Sequence, residues 1–134
     1  MEKLFETHYA YIEHDNKNDL IFLKMKNVVE HEEYKTMFLT VLEKFVEKKC
    51  YRLLVDQSDV QKSSMESRAW LVTKWIPMVR QEIGENAKCA VVLARNMFSK
   101  IGAQYVVGLV GTITRLDIKS FSNHEDAMHW LVED

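Results

Sequence analysis

Apolar residues recur along the chain at two different spacings, and each spacing predicts one kind of secondary structure. In Leu20–Asn27 the apolar residues Ile21, Leu23 and Met25 alternate with a partly polar face, which predicts a strand with one apolar face. Tyr9–His14 is a second candidate strand, and the polar segment Asp15–Asp19 between the two predicts a hairpin loop. In Glu30–Lys49 and Met65–Ile83 apolar residues recur at three- and four-residue steps, which predicts amphipathic helices.

The remaining segments continue this alternation of strands and helices. They predict the strands Arg52–Asp56, Ala87–Ala94 and Arg115–Phe121 and the helices Met97–Gly111 and His124–Val132. Strands that alternate with helices imply right-handed crossovers and a mostly parallel sheet, to which the opening hairpin adds one antiparallel edge strand. We therefore predict an α/β fold of the order β-β-α-β-α-β-α-β-α, with a five-stranded sheet and a single domain over residues 1–134.

The helix predicted over Met65–Ile83 contains the one proline of the chain. Pro77 has no backbone N–H, and its ring crowds the carbonyl group of Thr73, so we expect the helix to bend there. Gly84 follows and is a natural end for the helix. The main apolar stripe of this helix consists of Met65, Ala69, Val72, Ile76, Val79 and Ile83.

Composition argues against several classes of protein. The 134 residues are 47% hydrophobic, which is enough for one domain with a real core. A net charge of −2 gives no electrostatic reason to expect nucleic acid as a partner. No apolar run approaches the roughly 18–20 residues of a membrane-spanning helix. The opening MEKLFETHYA carries no secretory signal, so we expect a cytoplasmic protein in which Cys50 and Cys89 are free thiols.

The segment Tyr51–Glu66 is the strongest candidate for a functional site. It reads as a buried strand that ends at Asp56, then a polar loop, then a helix that begins at Ser63 and Ser64. Ligand and regulatory sites of open α/β sheets gather where strands end and helices begin. The two serines are candidates for phosphorylation, because added negative charge meets the positive end of the helix dipole there. The alternative is a plain helix cap, in which Ser63 and Glu66 form a capping box.

The loop of that segment carries a second group of candidates, Asp56, Ser58 and Asp59. These side chains could gather around a ligand hydroxyl, a partner or a cation. Two carboxylates without further acidic ligands make a poor metal site, so we expect no bound metal. Turn-type hydrogen bonds from these side chains to the loop backbone are the alternative role.

An apolar surface for a partner is the third candidate site. It comprises Trp70, Leu71, Trp75 and Met78. Trp70 projects away from the main stripe of its helix, and an exposed Trp beside other apolar residues is typical of a partner or ligand surface. The alternative is that these side chains pack against neighbouring helices.

A second copy of this chain is one of the partners we expect. In the helix predicted over Met97–Gly111, the residues Ser99, Ala103 and Gly111 form a row of small side chains. Such a row permits close approach of another backbone, from the same chain or from a second subunit. Together with Trp70 and Met78 it suggests more apolar surface than one small domain can bury, which predicts a homodimer.

One region of the sequence resembles the SpoIIAA-like, or STAS, proteins, which include the anti-sigma-factor antagonists. Val55–Val60 and the pair Ser63 and Ser64 stand where those antagonists carry a strand ending in Asp and a D-S-[ST]-G-L helix start. Lys62 and Met65 depart from that motif at its acidic and glycine positions. The resemblance implies a protein-interaction or regulatory module that is switched at the two serines.

The end of the chain is similar to a different branch, the small bacterial SpoIIAA-like proteins related to CRAL-TRIO lipid-binding domains. That branch ends in a strand reaching Phe and a helix of the form E-x-A-x-x-W-L. The matching residues here are Phe121, Glu125, Ala127, Trp130 and Leu131. This second resemblance implies an alternative function, a carrier of a small molecule or lipid.

Enzyme motifs are missing from the sequence. It contains no G-x-S-x-G, no G-x-G-x-x-G and no P-loop, and its five histidines are scattered. We therefore expect no catalytic residues and no cofactor. The function that the sequence favours is a non-catalytic regulatory or protein-interaction module, and the small-molecule or lipid carrier is the alternative.

Overall fold

A computed structural model describes residues 1–84, 86–94 and 117–133, and the strands in these ranges form one sheet of six. The strands lie across the sheet in the order of the chain. The first two pairings are antiparallel and the other three are parallel. The strands are β1 (Glu2–Glu6), β2 (Ala10–Asp15), β3 (Leu20–Val28), β4 (Arg52–Lys62), β5 (Lys88–Val92) and β6 (Asp117–Phe121).

Helices cover both faces of this sheet. They are α1 (His31–Lys48), α2 (Met65–Trp70), a π-helical turn (Leu71–Trp75), α3 (Ile76–Ile83) and α4 (His124–Val132). The first four of these elements lie on one face, and α4 lies on the other. Among the described residues, no helix is long and apolar enough to cross a membrane.

The α/β fold predicted from the sequence is confirmed, with one strand more than the five expected. The additional strand is β1, which pairs antiparallel with β2 and takes its place at the edge of the sheet. Every side chain of β1 is exposed or half-buried, so its apolar signal in the sequence is weak. The predicted helix Met97–Gly111 and the first residues of the predicted strand Arg115–Phe121 lie outside the described residues.

β4 is longer than the sequence predicts. It spans 11 residues, Arg52–Lys62, so the loop predicted after Asp56 is wrong and the strand continues there. The cause is β3, which runs beside it and pairs Lys24 with Asp56 and Val28 with Lys62 through two irregularities in register. Such bulges break the regular alternation that marks a strand in a sequence. Because β4 is extended, its end leads almost directly into α2.

Each face of the sheet has its own apolar core. On one face, residues of β3 and β4 pack beneath α1 and α3, where Val41 and Phe45 of α1 are fully buried. On the other face, Ala127 and Leu131 of α4 pack against β3, β4 and β5. Full burial of a large apolar side chain stabilises the folded state by about 1.5–3 kcal/mol. The sheet is therefore held between two helical layers, and the carboxyl end of β4 leads to the start of α2.

The helix predicted over Met65–Ile83 is present, but its bend takes an unexpected form. In the π turn between α2 and α3, the N–H of Ile76 donates to the carbonyl oxygen of Leu71, five residues earlier. Pro77, which has no N–H to donate, then stands in the first turn of α3. Gly84 ends the helix with a φ of +69°, in the region that favours glycine. A π turn adds one residue to a helix, so the buried face shifts by one position across it.

Candidate functional site

The start of α2 lies at the end of β4 and beside the start of α1. The ring nitrogen Nδ1 of His31, in α1, is 3.0 Å from the hydroxyl of Ser67 in α2. The other ring nitrogen, Nε2, is 3.4 Å from the carboxylate of Glu66. These two contacts join the first turns of the helices, so the serine pair of the sequence lies where a strand end and two helix starts meet.

Ser64 is the N-cap of α2. Its hydroxyl oxygen accepts a hydrogen bond of 3.0 Å from the N–H of Ser67 and lies 2.9 Å from the Ser67 hydroxyl. One of the N–H groups that a helix start leaves without a partner is satisfied in this way. The predicted capping box of Ser63 and Glu66 does not form, because the N-cap is Ser64 rather than Ser63 and the Glu66 side chain contacts His31. Ser64 itself is exposed to solvent.

Ser63 has a different partner, the guanidinium group of Arg68. Nη1 of Arg68 donates to the Ser63 hydroxyl at 2.7 Å and to the Ser63 carbonyl oxygen at 3.3 Å. Nη2 contacts the sulfur of Met65 at 3.2 Å, and Nε has no hydrogen-bond partner among the described residues. Arg68 is nevertheless only 5% exposed. The candidate site therefore holds a buried cation that no carboxylate of the described residues contacts.

Sequence reasoning missed Arg68 because the π turn shifts the buried face of the helix. The predicted stripe runs from Met65 through Ala69, yet Met65 is 57% exposed and Ala69 is exposed as well. Before the π turn, the residues that face inward are instead Ser67 and Arg68. The signal in the sequence was Pro77 in mid-helix, since a π turn is one of the ways in which a helix adapts to such a residue.

The predicted apolar partner surface is largely a part of the core. Leu71 and Trp75 are buried, so they are wrong as surface residues. The indole Nε1–H of Trp75 donates to the carbonyl oxygen of Phe38 at 2.6 Å, which fixes the π turn against α1. Trp70 is half-buried, with its ring edge-on to that of Tyr34 at 6.5 Å between centroids, and Met78 is also half-buried.

Asp56, Ser58 and Asp59 do come together, around a lysine that the sequence did not single out. Nζ of Lys24 is 3.2 Å from Asp56, 3.0 Å from the Ser58 hydroxyl and 2.9 Å from Asp59. The N–H of Ser58 also donates to the Asp56 carboxylate at 2.8 Å, which is a turn-type bond across two residues. The ammonium group of Lys24 thus occupies the position that a bound cation would take.

Electrostatics in this cluster favour its charged form. Burial alone would raise the pKa of Asp56, but hydrogen bonds from Ser58 and the charge of Lys24 outweigh it and lower that pKa. Burial likewise opposes the charge of Lys24, and its bonds to Asp59 and Asp56 raise the pKa above its ordinary value. The cluster is a neutralising network between β3 and β4 rather than an acid or base near neutral pH.

An apolar cavity lies between the sheet and the helical segment from α2 to α3. Arg68 and Ser63 are among its lining residues, and Trp75 and Val79 are among the apolar residues that form its walls. Its volume is about 60 Å³. A pocket for a drug-sized ligand measures about 300–1,000 Å³. This cavity, as lined by the described residues, is therefore large enough only for a small ligand.

A group with metal-ligand chemistry lies elsewhere, at the hairpin between β2 and β3. Ligand atoms of His14, Asp19 and Cys50 lie within 4.8 Å of one another. Nε2 of His14 is 3.3 Å from the Asp19 carboxylate, and the Cys50 thiol donates to the Asp19 carbonyl oxygen at 3.3 Å. Burial raises the pKa of Cys50 to about 11, so it stays a neutral thiol near pH 7. These bonds tie the hairpin to the start of β4, which is a structural role.

A model of one protein family matches most of this chain. The family is described as SpoIIAA-like, and the match covers residues 20–132. The chain belongs to the SpoIIAA-like family. The serine pair and the Arg68 guanidinium both lie within the matched range. Comparison of the sequence with curated proteins gives no match.

Solved structures share the fold of this SpoIIAA-like protein. An anti-sigma factor antagonist from Mycobacterium paratuberculosis has a TM-score of 0.63 at 14% identity, with 92% of this chain and 93% of that chain covered. An uncharacterized protein with a SpoIIAA-like fold from Shewanella loihica PV-4 has a TM-score of 0.59 at 19% identity, with 96% and 98% covered. The anti-sigma factor antagonist SpoIIAA in its unphosphorylated form has a TM-score of 0.59 at 5% identity, with 87% and 91% covered.

Proposed function

We propose that this SpoIIAA-like protein is a non-catalytic regulatory module that binds another protein through the start of α2. Membership of the family and the fold shared with two anti-sigma factor antagonists support this proposal. Among the described residues, the titratable groups of the site are engaged in ion pairs or hydrogen bonds. The Ser67 hydroxyl does lie 3.0 Å from His31, the arrangement of a nucleophile and its base, but Ser67 is 0% exposed and also bonds to the Ser64 hydroxyl. We therefore assign this contact a role in joining the helices rather than in catalysis.

We propose that phosphorylation of the serine pair controls this binding, and that Ser63 is the residue that gains most from a phosphate. The observation that carries the assignment is the 2.7 Å hydrogen bond from Arg68 to the Ser63 hydroxyl. A phosphate on that oxygen would meet a guanidinium group that already lies beside it. Charge-assisted hydrogen bonds of this kind are roughly twice as strong as neutral ones. Ser64, whose hydroxyl caps the helix, has no basic partner of that kind within residues 1–84, 86–94 and 117–133.

The surface around the serines suits a regulated interface. Ser64, Met65 and Glu66 are exposed in sequence, and Gln61 and Lys62 are exposed at the end of β4. Met65 presents a flexible apolar side chain among polar neighbours, a combination common at adaptable binding surfaces. A phosphate at Ser63 would change the charge within this patch. It would also draw the Arg68 side chain away from the Met65 sulfur, which it now contacts at 3.2 Å.

Partner capture with charge-mimicking variants tests this proposal. The variants are Ser63→Glu, Ser64→Glu and, as the matched control, Ser122→Glu, which adds the same charge at an exposed serine far along the chain. Each tagged protein captures partners from its native cell extract, and the affinity of every partner held by the parent is then measured with purified components. We expect Ser63→Glu to change the affinity by tenfold or more and the Ser122 control to leave it unchanged. Equal affinities for all three variants and the parent would overturn the switch.

The alternative function, a carrier of a lipid-sized molecule, lacks support from the described residues. Such a carrier needs a cavity of several hundred Å³. The cavity beneath α2 and α3 measures about 60 Å³. We therefore do not propose a lipid carrier, although the cavity has the chemistry for a smaller ligand.

A further inference from the structure

We propose that the cavity beneath α2 and α3 binds a small carboxylate with a short apolar tail, and that Arg68 holds its carboxylate group. This inference shares Arg68 with the proposed switch, but it uses the Nε edge of the guanidinium group rather than the Nη1 donors that bond to Ser63. Its starting point is an imbalance at Arg68, which is 5% exposed and yet has no carboxylate partner among the described residues. Taking an unpaired charge out of water is costly, so a buried arginine normally has an anionic partner.

No carboxylate of the described residues is hydrogen-bonded to Arg68, and residues 95–116 contain neither Asp nor Glu. Asp117 also lines the cavity, but it is exposed to solvent and forms no ion pair with Arg68. A bound anion is therefore the counter-charge that we propose for Arg68.

The N–H donors that Arg68 does not use within the described residues are arranged to bind a carboxylate. A guanidinium group has five N–H donors in a fixed plane, and both N–H groups of Nη1 donate to Ser63. The N–H of Nε and one N–H of Nη2 lie along the opposite edge. Nε has no acceptor among the described residues, and Nη2 contacts a thioether sulfur, which is a weak acceptor. This edge is the fork that binds the two oxygens of a carboxylate in parallel.

The composition and volume of the cavity determine which group can be attached to the carboxylate of the ligand. The lining is mostly apolar and includes Phe38, Leu71 and Trp75. Besides Arg68 and Ser63, its polar or charged members include Gln57, Lys88 and Asp117. One water needs about 10–15 Å³ of cavity, so the 60 Å³ present here has room for roughly four to six non-hydrogen atoms. Acetate, propionate and butyrate fall within this range, and longer fatty acids exceed it. The carboxylate would face Arg68 and the short chain would contact the apolar walls.

The test uses the unmodified protein and a series of sodium carboxylates from acetate to octanoate. Nitrogen-15 NMR follows the Nε–H signal of Arg68, and sodium chloride at equal concentration controls for ionic strength. We expect saturable shifts of that signal with acetate, propionate and butyrate, with affinity rising along these three, and a weaker response to octanoate. Inorganic phosphate, a second anion that could bind the fork, is titrated in parallel.

Two variants test whether the binding of carboxylates depends on Arg68. Arg68→Gln should lower the affinity for butyrate by about tenfold or more, because a charge-assisted fork is lost. Arg80→Gln, which removes an exposed arginine from the same helical segment, should leave it unchanged. Absence of saturation in the unmodified protein, equal shifts with sodium chloride, or equal affinity in Arg68→Gln would each overturn the proposal. Binding of phosphate without binding of any carboxylate would also overturn it, and the direct Nε–H readout decides even if Arg68→Gln fails to fold.

Discussion

Replacement of Arg68 by methionine should stabilise the protein, since Arg68 costs stability in the unliganded fold. The desolvation penalty of a buried ion is several kcal/mol, and here no described carboxylate offsets it. The substitution forfeits the bonds to Ser63, which contribute about 1.5–3 kcal/mol to stability. Ser63 is half-buried, so water can take over part of that bonding. Because methionine keeps most of the volume, we expect a net gain of about 1–3 kcal/mol in the free energy of unfolding.

Urea unfolding at pH 7 in a buffer without carboxylates or phosphate measures this gain. Both proteins are followed by circular dichroism, and similar denaturant slopes would show that the comparison is valid. Arg80→Met is the matched control, and as an exposed substitution it should change the free energy by less than about 0.5 kcal/mol. If Arg68→Met lowered the free energy of unfolding by about 1 kcal/mol more than Arg80→Met does, Arg68 would be a stabilising residue of the unliganded fold. That result would refute the view that Arg68 serves to bind a ligand or a phosphate at a cost in stability.

Three further predictions concern the cap, the thiols and assembly. Ser64→Ala should lower the free energy of unfolding by about 0.5–2 kcal/mol in urea titrations, whereas Ser63→Ala should leave the cap intact. Burial raises the pKa of Cys50 from 9.0 to about 11, so the contribution of the neutral thiol to stability is complete below about pH 9 and is lost as the pH rises toward 11. Cys50→Ala should therefore make the free energy of unfolding fall less steeply between pH 9 and 11, and an unchanged slope would contradict the assignment. We expect a homodimer by analytical ultracentrifugation at tens of micromolar, and a monomer mass there would count against it.

The sequence predicted the elements well where their apolar periods are regular. In β3 the apolar residues Ile21, Leu23 and Met25 recur at every second position, and the helix of Met65–Ile83 has the predicted ends. The prediction from the sequence was wrong where pairing with an adjacent strand determines the structure. β4 runs past Asp56 because β3 lies beside it through two bulges, and no local pattern in the polar run around Ser58 announces that pairing.

The candidate site was located by the sequence but its central residue was not. The pair Ser63 and Ser64 stands at a helix start as predicted, and Ser64 forms the cap. Arg68 escaped notice because an ideal helical period places Met65 and Ala69 inward. The π turn before Pro77 adds one residue, so a charged side chain takes the buried position instead. Periodicity cannot reveal such a phase shift, since both sides of the turn remain helical.

The most direct test of the account is the state of Arg68 when Ser63 carries a phosphate. Phosphoserine is incorporated at position 63, and the Nε–H and Nη signals of Arg68 are compared by nitrogen-15 NMR with those of the unmodified protein and of a protein with phosphoserine at position 122. The account predicts that the phosphate at Ser63 alone shifts the guanidinium signals of Arg68 and slows their exchange with water, as a charge-assisted hydrogen bond requires. Arg68 signals that are the same in all three proteins would contradict it.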